Sequence, residues 1–167
     1  MTVTTAAMAV LLACAPLADA APAATGTVLS GFVTFYGAAD NDPPGSAAIA
    51  YPGLHETAGG IGTYADPITF ATRYHQTYPP GTRIYLPRLA KYAVMEDDCA
   101  CDQPANHVDL WMGGVGHDQG VVACANRMTL AGNESIVKDP DPDRPVDLRP
   151  LYSSSTGCIT RESAATH

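Results

Sequence analysis

The sequence contains few positively charged residues. Nine Lys and Arg residues stand against 17 Asp and Glu residues, which gives a formal net charge of −8 at pH 7. Proteins that bind nucleic acids need a basic surface to neutralise phosphate groups, so we expect no nucleic-acid partner. Hydrophobic residues make up 46% and charged residues 16% of the 167 positions, which is typical of one folded domain.

Long apolar runs are also missing. The longest, Ala6 to Pro16, is shorter than the roughly 20 residues that cross a bilayer, so we expect no transmembrane segment. It is followed by Ala18-Asp19-Ala20, the A-x-A pattern at which signal peptides are cleaved. We therefore predict a signal peptide over residues 1–20, a linker over 21–29 and an extracellular protein. As an alternative, the residues before Cys14 resemble a lipobox, which would anchor the chain by a lipid.

Four cysteines remain after the predicted signal peptide, and an even number in an exported protein predicts two disulfides. They are Cys99, Cys101, Cys124 and Cys158. Because Cys99 and Cys101 are so close in sequence, we expect one to bond Cys124 and the other Cys158, although three connectivities are possible. His107 and His117 lie nearby, but a C-x-C spacing differs from the usual C-x-x-C of zinc sites. We therefore expect no metal and no other cofactor.

Glycine and proline are abundant, with 15 and 14 residues, and favour turns and short strands over long helices. The pattern predicts an all-β domain over residues 30–132. Strands are expected at Leu29–Tyr36, Asp66–Thr72, Thr82–Leu86, Lys91–Glu96 and His107–Met112. Val121–Leu130 is a short helix or a last strand, and the long loop Gly37–Gly62 is expected to be functional. Residues 133–167 are predicted to be an irregular Pro- and Asp-rich tail, tethered by Cys158.

Asp109 stands between apolar residues in a predicted strand. Carboxylates are depleted from strands, and burial beside apolar groups raises their pKa. A raised pKa keeps a carboxylic acid protonated for donation to a glycosidic oxygen. His107 lies two residues earlier, so both side chains project from the same face of the strand. The alternative is a structural Asp109 that caps a turn or pairs with an arginine.

Several short motifs occur in the order found in double-psi β-barrel families. They are Thr34-Phe35-Tyr36, Pro80-Gly81-Thr82-Arg83, Asp98 and His107-Val108-Asp109-Leu110. Over roughly residues 30 to 131 the chain resembles the three-aspartate domain and the barrel of membrane-bound lytic transglycosylase A, which share the eleven-residue interval between Asp98 and Asp109. It resembles rare lipoprotein A, expansins and family 45 endoglucanases more loosely.

The resemblance implies a six-stranded double-psi β-barrel in which Asp109 is the catalytic acid and Asp98 a supporting acid. Thr34 and Tyr36 match residues that line the sugar groove of these families. Two features depart from the pattern. Ala38 occupies the position of the endoglucanase base, and a cysteine-bearing loop replaces the glycine-rich loop between the transglycosylase acids. To the groove we add three residues from the sequence, although Trp111 also suits a barrel core. They are Tyr64, His107 and Trp111.

These features predict a secreted monomer that acts on a polysaccharide such as peptidoglycan, chitin or cellulose. We favour cleavage of glycosidic bonds, by a lytic transglycosylase-like or a hydrolytic route. An inverting hydrolase needs a second carboxyl group, whereas a lytic transglycosylase needs only one acid. The negative charge favours neutral glycans over anionic cell walls. The alternatives are a non-catalytic, expansin-like wall-binding protein and a secreted protease inhibitor that uses the loop Asp40 to Gly45.

Overall fold

The fold consists mainly of short strands. The computed structural model describes Met1 and residues 26–101 and 106–159, so the predicted signal peptide, Cys14 and most of the predicted linker lie outside the described residues. In chain order the elements are β1 (Thr27–Gly31), β2 (Val33–Tyr36), a 3-10 helix (Ala38–Asp40), β3 (Ile68–Ala71), β4 (Arg83–Leu86), β5 (Lys91–Asp97), β6 (Val108–Trp111), α1 (Gln119–Met128), β7 (Glu134–Lys138), β8 (Tyr152–Ser153) and β9 (Gly157–Cys158). The all-β class is confirmed, and each predicted strand segment contains a strand.

Seven strands form one curled, half-barrel sheet in the order β1-β7-β4-β5-β3-β6-β2. The pairs β3–β5 and β2–β6 are parallel, and the other neighbours are antiparallel. The two edge strands, β1 and β2, are consecutive in the chain and separated by Phe32 alone. The carbonyl of Phe32 accepts a hydrogen bond from the Val108 amide at 2.9 Å. One ten-residue segment, 27–36, therefore supplies both edges of the sheet.

Residues alternate between the two faces of the sheet, as strand geometry requires. On β2 and β6, the inward side chains of Phe35, Val108 and Leu110 are at most 5% exposed and pack with Phe70 in the main core. Thr34 and Asp109 are register partners that project from the opposite face. This alternation places the polar residues of β2 and β6 together on the outside of the sheet.

The segment after β6 forms a helix rather than a strand. Asp118 caps α1 by accepting a hydrogen bond from the Gly120 amide at 2.9 Å. Val121, Cys124 and Met128 are buried in the main core, and the helix packs against β2. The i, i+3, i+7 spacing of these residues is the helical pattern that resolves the alternative left open by the sequence.

The predicted domain boundary at residue 132 is wrong. Strand β7 (Glu134–Lys138) lies inside the sheet, between β1 and β4, and Ile136 and Val137 are 0% and 3% exposed. The Pro- and Asp-rich segment begins only after this strand, and its composition obscured the short apolar run before it. The tail then packs against β5, because Lys91 Nζ donates to the carbonyl of Asp147 at 2.5 Å.

All four cysteines form disulfides, but the predicted pairing is wrong. Cys99 bonds Cys101, with Cα atoms 5.1 Å apart. Cys124 on α1 bonds Cys158 on β9, with Cα atoms 5.5 Å apart. Cys99 and Cys101 pair because the chain leaves the extended conformation when β5 ends at Asp97, which brings the two side chains together. The bond from α1 to β9 attaches the end of the tail to the core.

Candidate functional site

Asp109 lies in a polar cluster on the outer face of β6. The Thr34 hydroxyl donates a hydrogen bond to Asp109 Oδ1 at 2.7 Å and lies 2.7 Å from His107 Nε2. Because a hydroxyl has one hydrogen and Thr34 gives it to Asp109, the His107 ring must donate from Nε2. The sequence prediction that His107 and Asp109 share a face is confirmed, and Thr34 joins them.

The pKa of Asp109 is raised to about 6. Burial is the main cause, and the negative charges of Asp40 and Asp97 raise it further, while the hydrogen bond from Thr34 opposes the shift. Asp109 as a whole residue is half-buried, and the surrounding protein removes most of the water from its carboxyl group. About half of the Asp109 carboxyl groups therefore carry a proton at about pH 6, as a general acid requires in mildly acidic solution.

A second buried carboxyl group, Asp97, stands at the end of β5. Asp97 and Asp109 are both register partners of Ala71, which lies between them on β3. Two strand spacings place their Cα atoms about 10 Å apart. Ala71, Asp97 and Asp109 therefore project from one face of the sheet, and Ala71 is itself only 1% exposed.

Three donors hold the Asp97 carboxylate in place. The Tyr36 hydroxyl and the amides of Ala50 and Asp98 each donate to it at 2.9 Å. Burial raises the pKa of Asp97, and these hydrogen bonds oppose that shift. Burial also raises the pKa of Tyr36, followed by the charge of Asp97, so the tyrosine stays protonated and remains a donor. Tyr36 thus donates a hydrogen bond to Asp97 and does not present an open ring face to a sugar.

The structure does not place Asp98 beside Asp109. Its side chain is exposed, accepts a hydrogen bond from the Tyr51 hydroxyl at 2.7 Å and lies 2.5 Å from His75 Nε2. In an unshifted register Ala71 would pair with Glu96, but the β3–β5 register moves by one residue between Phe70 and Ala71, so Asp97 becomes the partner of Ala71. Asp98 follows the last residue of β5 and lies beyond this pairing. The supporting acid predicted from the sequence interval is thus one residue away from the acid that faces Asp109.

The predicted aromatic groove residues are not brought together on an open surface. Trp111 is 7% exposed and packs edge-on against Tyr36, with ring centroids 5.2 Å apart. Tyr64 packs against Tyr92 and under Arg83 in a separate apolar cluster. Trp111 therefore supports the site through Tyr36, whereas Tyr64 belongs to another part of the molecule.

The sequence analysis missed a buried acid–histidine cluster next to Asp97. Glu96 is 1% exposed, and its carboxylate accepts hydrogen bonds from the Leu54 and His55 amides and from the Thr69 hydroxyl. His55 Nδ1 lies 2.7 Å from Glu96, and its Nε2 lies 3.0 Å from Asp66. This cluster fastens the long loop to the sheet. No local sequence pattern indicates this cluster, because its members are separated by up to 42 residues.

A cavity of about 440 Å³ opens between β2 and α1, beside the Asp109 cluster. Thr34 and Asp40 lie on its wall near Asp109, and Asn126 lines it from the helix. Phe32 and Phe35 contribute apolar surface. In the described part of the chain, no group of three or more histidine, cysteine or acidic residues is arranged to hold a metal ion. No helix among the described residues is long and apolar enough to cross a membrane.

One family model matches nearly all of the described fold. A family model described as the DDB_G0273701 N-terminal domain matches residues 28–159, from β1 to just after β9. A protein of Dictyostelium discoideum named "Uncharacterized protein DDB_G0273701/DDB_G0273221" is 38% identical over 139 residues, or 80% of this chain and 60% of the relative. The chain thus spans about three fifths of the length of that relative. No solved structure matches it.

The matched range includes β7, the Asp109 cluster and both partners of the Cys124–Cys158 disulfide, which agrees with a single sheet domain extending past residue 132. By the extent of the family match and the identity to its relative, the chain belongs to the family of the DDB_G0273701 N-terminal domain.

Proposed function

We propose that the protein is a secreted polysaccharide-active enzyme that cleaves glycosidic bonds with Asp109 as the general acid. The observation that carries this proposal is the Asp109 carboxyl group, whose pKa is raised to about 6 on the outer face of the sheet. The Thr34 hydroxyl orients one carboxyl oxygen at 2.7 Å and leaves the other for a substrate. A protonated, oriented and partly accessible acid is what protonation of a leaving glycosidic oxygen requires.

Two routes are compatible with this acid. In hydrolysis, Asp109 gives its proton to the leaving oxygen, while a water attacks the anomeric carbon and gives a proton to a second carboxylate. We assign that second role to Asp97, because its side chain projects from the same face of the sheet as that of Asp109. Inverting enzymes separate their two carboxyl groups by roughly 6.5–9.5 Å to admit the water. In the lytic route, the 6-hydroxyl group of the sugar attacks, and the Asp109 carboxylate takes the proton of that hydroxyl. The position of Asp97 supports hydrolysis.

The finer fold also belongs to this proposal. We infer a six-stranded double-psi β-barrel in which β1 and β2 act as one strand, bent at Phe32. The consecutive edge strands support closure of the sheet through this bend. The parallel pairs β3–β5 and β2–β6 support the resemblance to these barrels. The two disulfides are compatible with an extracellular location.

The expansin-like alternative is less well supported. A non-catalytic binder needs an open strip of aromatic side chains along its groove. Tyr36 and Trp111 are each 7% exposed, and Tyr64 packs in the separate cluster with Tyr92. These three residues therefore do not form such a strip, and the buried acids have no role in a purely aromatic binding surface.

The test uses the purified protein on peptidoglycan, chitin and cellulose, with soluble products identified by mass spectrometry. We expect reducing or 1,6-anhydro fragments from one polymer, and their loss in Asp109→Asn. Asp98→Asn is the matched control, because it removes an exposed carboxylate one residue from Asp97. It is expected to retain activity. Binding to a polymer without soluble fragments would overturn the proposal and support the non-catalytic alternative.

A further inference from the structure

We propose that the cavity between β2 and α1 binds a positively charged amino-sugar residue of the glycan, with Asp40 as the partner of its ammonium group. This inference rests on the proposed function and names the substrate class of the same site. The cavity volume of about 440 Å³ lies within the range of small-molecule sites. Thr34, which lines the cavity, also donates a hydrogen bond to the carboxyl group of Asp109, which is not itself among the lining residues.

The charge of the cavity favours a cation. Asp40 lines it, and no Lys, Arg or His is among the lining residues. Asp40 Oδ1 accepts a hydrogen bond from the Gly37 amide at 2.9 Å, and within the described residues no basic side chain pairs with it. Its negative charge is also felt at Asp109, where it raises the pKa. An ammonium group in the cavity would face one uncompensated carboxylate, whereas an acidic sugar would be repelled by it.

The remaining walls suit a sugar ring. Phe35, Val122 and Ala125 form an apolar floor, against which the C–H face of a ring packs. Asn126 is exposed at the rim, and within the described part of the chain its side-chain amide makes no hydrogen bond. An amide offers both donors and acceptors to sugar hydroxyl groups. The cavity therefore combines an anionic group, a neutral polar group and an apolar surface, which together match an amino sugar.

The test measures binding of two pentasaccharides of equal length by calorimetry, one of glucosamine and one of N-acetylglucosamine. At about pH 5, free amines are protonated and only the first oligomer is cationic. We expect it to bind about three- to five-fold more tightly, the range of an exposed ion pair. We expect added salt to reduce this preference. Equal binding, tighter binding of the acetylated oligomer, or no binding of either would overturn the inference.

Asp40→Asn is the decisive variant, because asparagine keeps an oxygen acceptor for the Gly37 amide but removes the charge. We expect it to abolish the preference, while Asp42→Asn, an exposed acid outside the cavity, preserves it. A preference that survives Asp40→Asn would contradict the inference. In the unmodified protein, the Asn126 side-chain amide resonances should shift on binding. Shifts confined to other surfaces would overturn the inference even if the variant fails to fold.

The two proposals fail separately. Preferential binding of the glucosamine oligomer without cleavage of any polymer would leave the binding site intact and overturn the enzymatic function. Cleavage of a neutral glycan, without preferential binding of the glucosamine oligomer, would overturn only the proposal of an amino-sugar site.

Discussion

At the scale of single residues, the burial that raises the pKa of Asp109 for its proposed role also lowers the stability of the folded protein. Its pKa is raised to about 6 in the folded protein, whereas an unfolded aspartate titrates near 3.9. Between these values the native state binds more protons than the unfolded state. The free energy of unfolding therefore falls as pH rises from about 4 to about 6. The cost of ionising this buried group persists at neutral pH.

Asp109→Asn should therefore stabilise the protein at neutral pH while abolishing cleavage. Asparagine keeps an acceptor for Thr34 and carries no charge, so we expect a gain of about 2 kcal/mol at about pH 7 and no gain at about pH 4. Denaturant unfolding at several pH values measures this difference. An equal effect of the substitution at both pH values would contradict the assignment of the raised pKa to Asp109.

His55 stabilises the folded protein when it is charged, whereas Asp109 destabilises it when it is charged. Burial lowers the pKa of His55, but the hydrogen bonds and charges of Asp66 and Glu96 outweigh burial and raise it. Because the folded pKa lies above the unfolded value, the charged ring contributes stability below about pH 6.5. That contribution is lost as pH rises through the folded pKa. The loop that covers Glu96 is thus held most firmly in mildly acidic solution.

His55→Gln is expected to cost about 1–3 kcal/mol at about pH 5.5, because it leaves the buried Glu96 carboxylate short of a charged donor. The cost should shrink at about pH 8. Unfolding curves give the free energies, and hydrogen exchange over residues 50–66 locates the loosened segment. A cost that grows with pH, or hydrogen exchange that stays unchanged in this loop, would argue against this role of His55.

At the scale of elements, the two disulfides are predicted to differ in strength. Cys124 and Cys158 are 34 residues apart in sequence, whereas Cys99 and Cys101 are two apart. A longer loop restricts the unfolded chain more, so replacing both Cys124 and Cys158 by Ala should cost about 3–4 kcal/mol. The same change at Cys99 and Cys101 should cost about 1–2 kcal/mol. Thermal unfolding of the two double variants tests this order, and the reverse order would contradict it.

A second prediction at this scale concerns strand β7. It pairs with β1 on one side and β4 on the other, and Ile136 is fully buried. A chain ending at residue 132 would lose a central strand and expose two edges, so we expect it to be unfolded or aggregated. A chain ending at residue 159 should fold. Circular dichroism and NMR dispersion separate these outcomes, and a cooperatively folded shorter chain would show that β7 is dispensable.

Some features of these elements could be predicted from the sequence, and others could not. Strand periodicity and turn residues located the strands, and the two-residue spacing placed His107 and Asp109 on one face. The register shift at Ala71 pairs this residue with Asp97 rather than Glu96, and no local pattern encodes such a shift. The pairing of His55 with Glu96 was equally hidden, because it arises only when the long loop folds over the sheet. Local chemistry was thus predictable, whereas long-range partners were not.

At the scale of the whole molecule, the charge and the fold favour the same kind of substrate. The net charge of −8 disfavours acidic polymers, and the wall of the cavity beside Thr34 carries a carboxylate. The acids Asp97 and Asp109 lie on one face of a sheet whose two edges come from a single segment. This arrangement holds the proposed catalytic groups on paired strands rather than on a free loop.

The measurement that tests the central claim most directly is the pH dependence of the release of soluble fragments from the cleaved polymer. If Asp109 is the general acid, the rate should fall above about pH 6 as its carboxyl group ionises. Asp109→Asn should reduce the rate at least about 100-fold below about pH 6, and this difference should narrow as pH rises. The Asp98→Asn control should retain the wild-type profile. An unchanged rate in Asp109→Asn, or no soluble fragments from any polymer at any pH, would contradict the account.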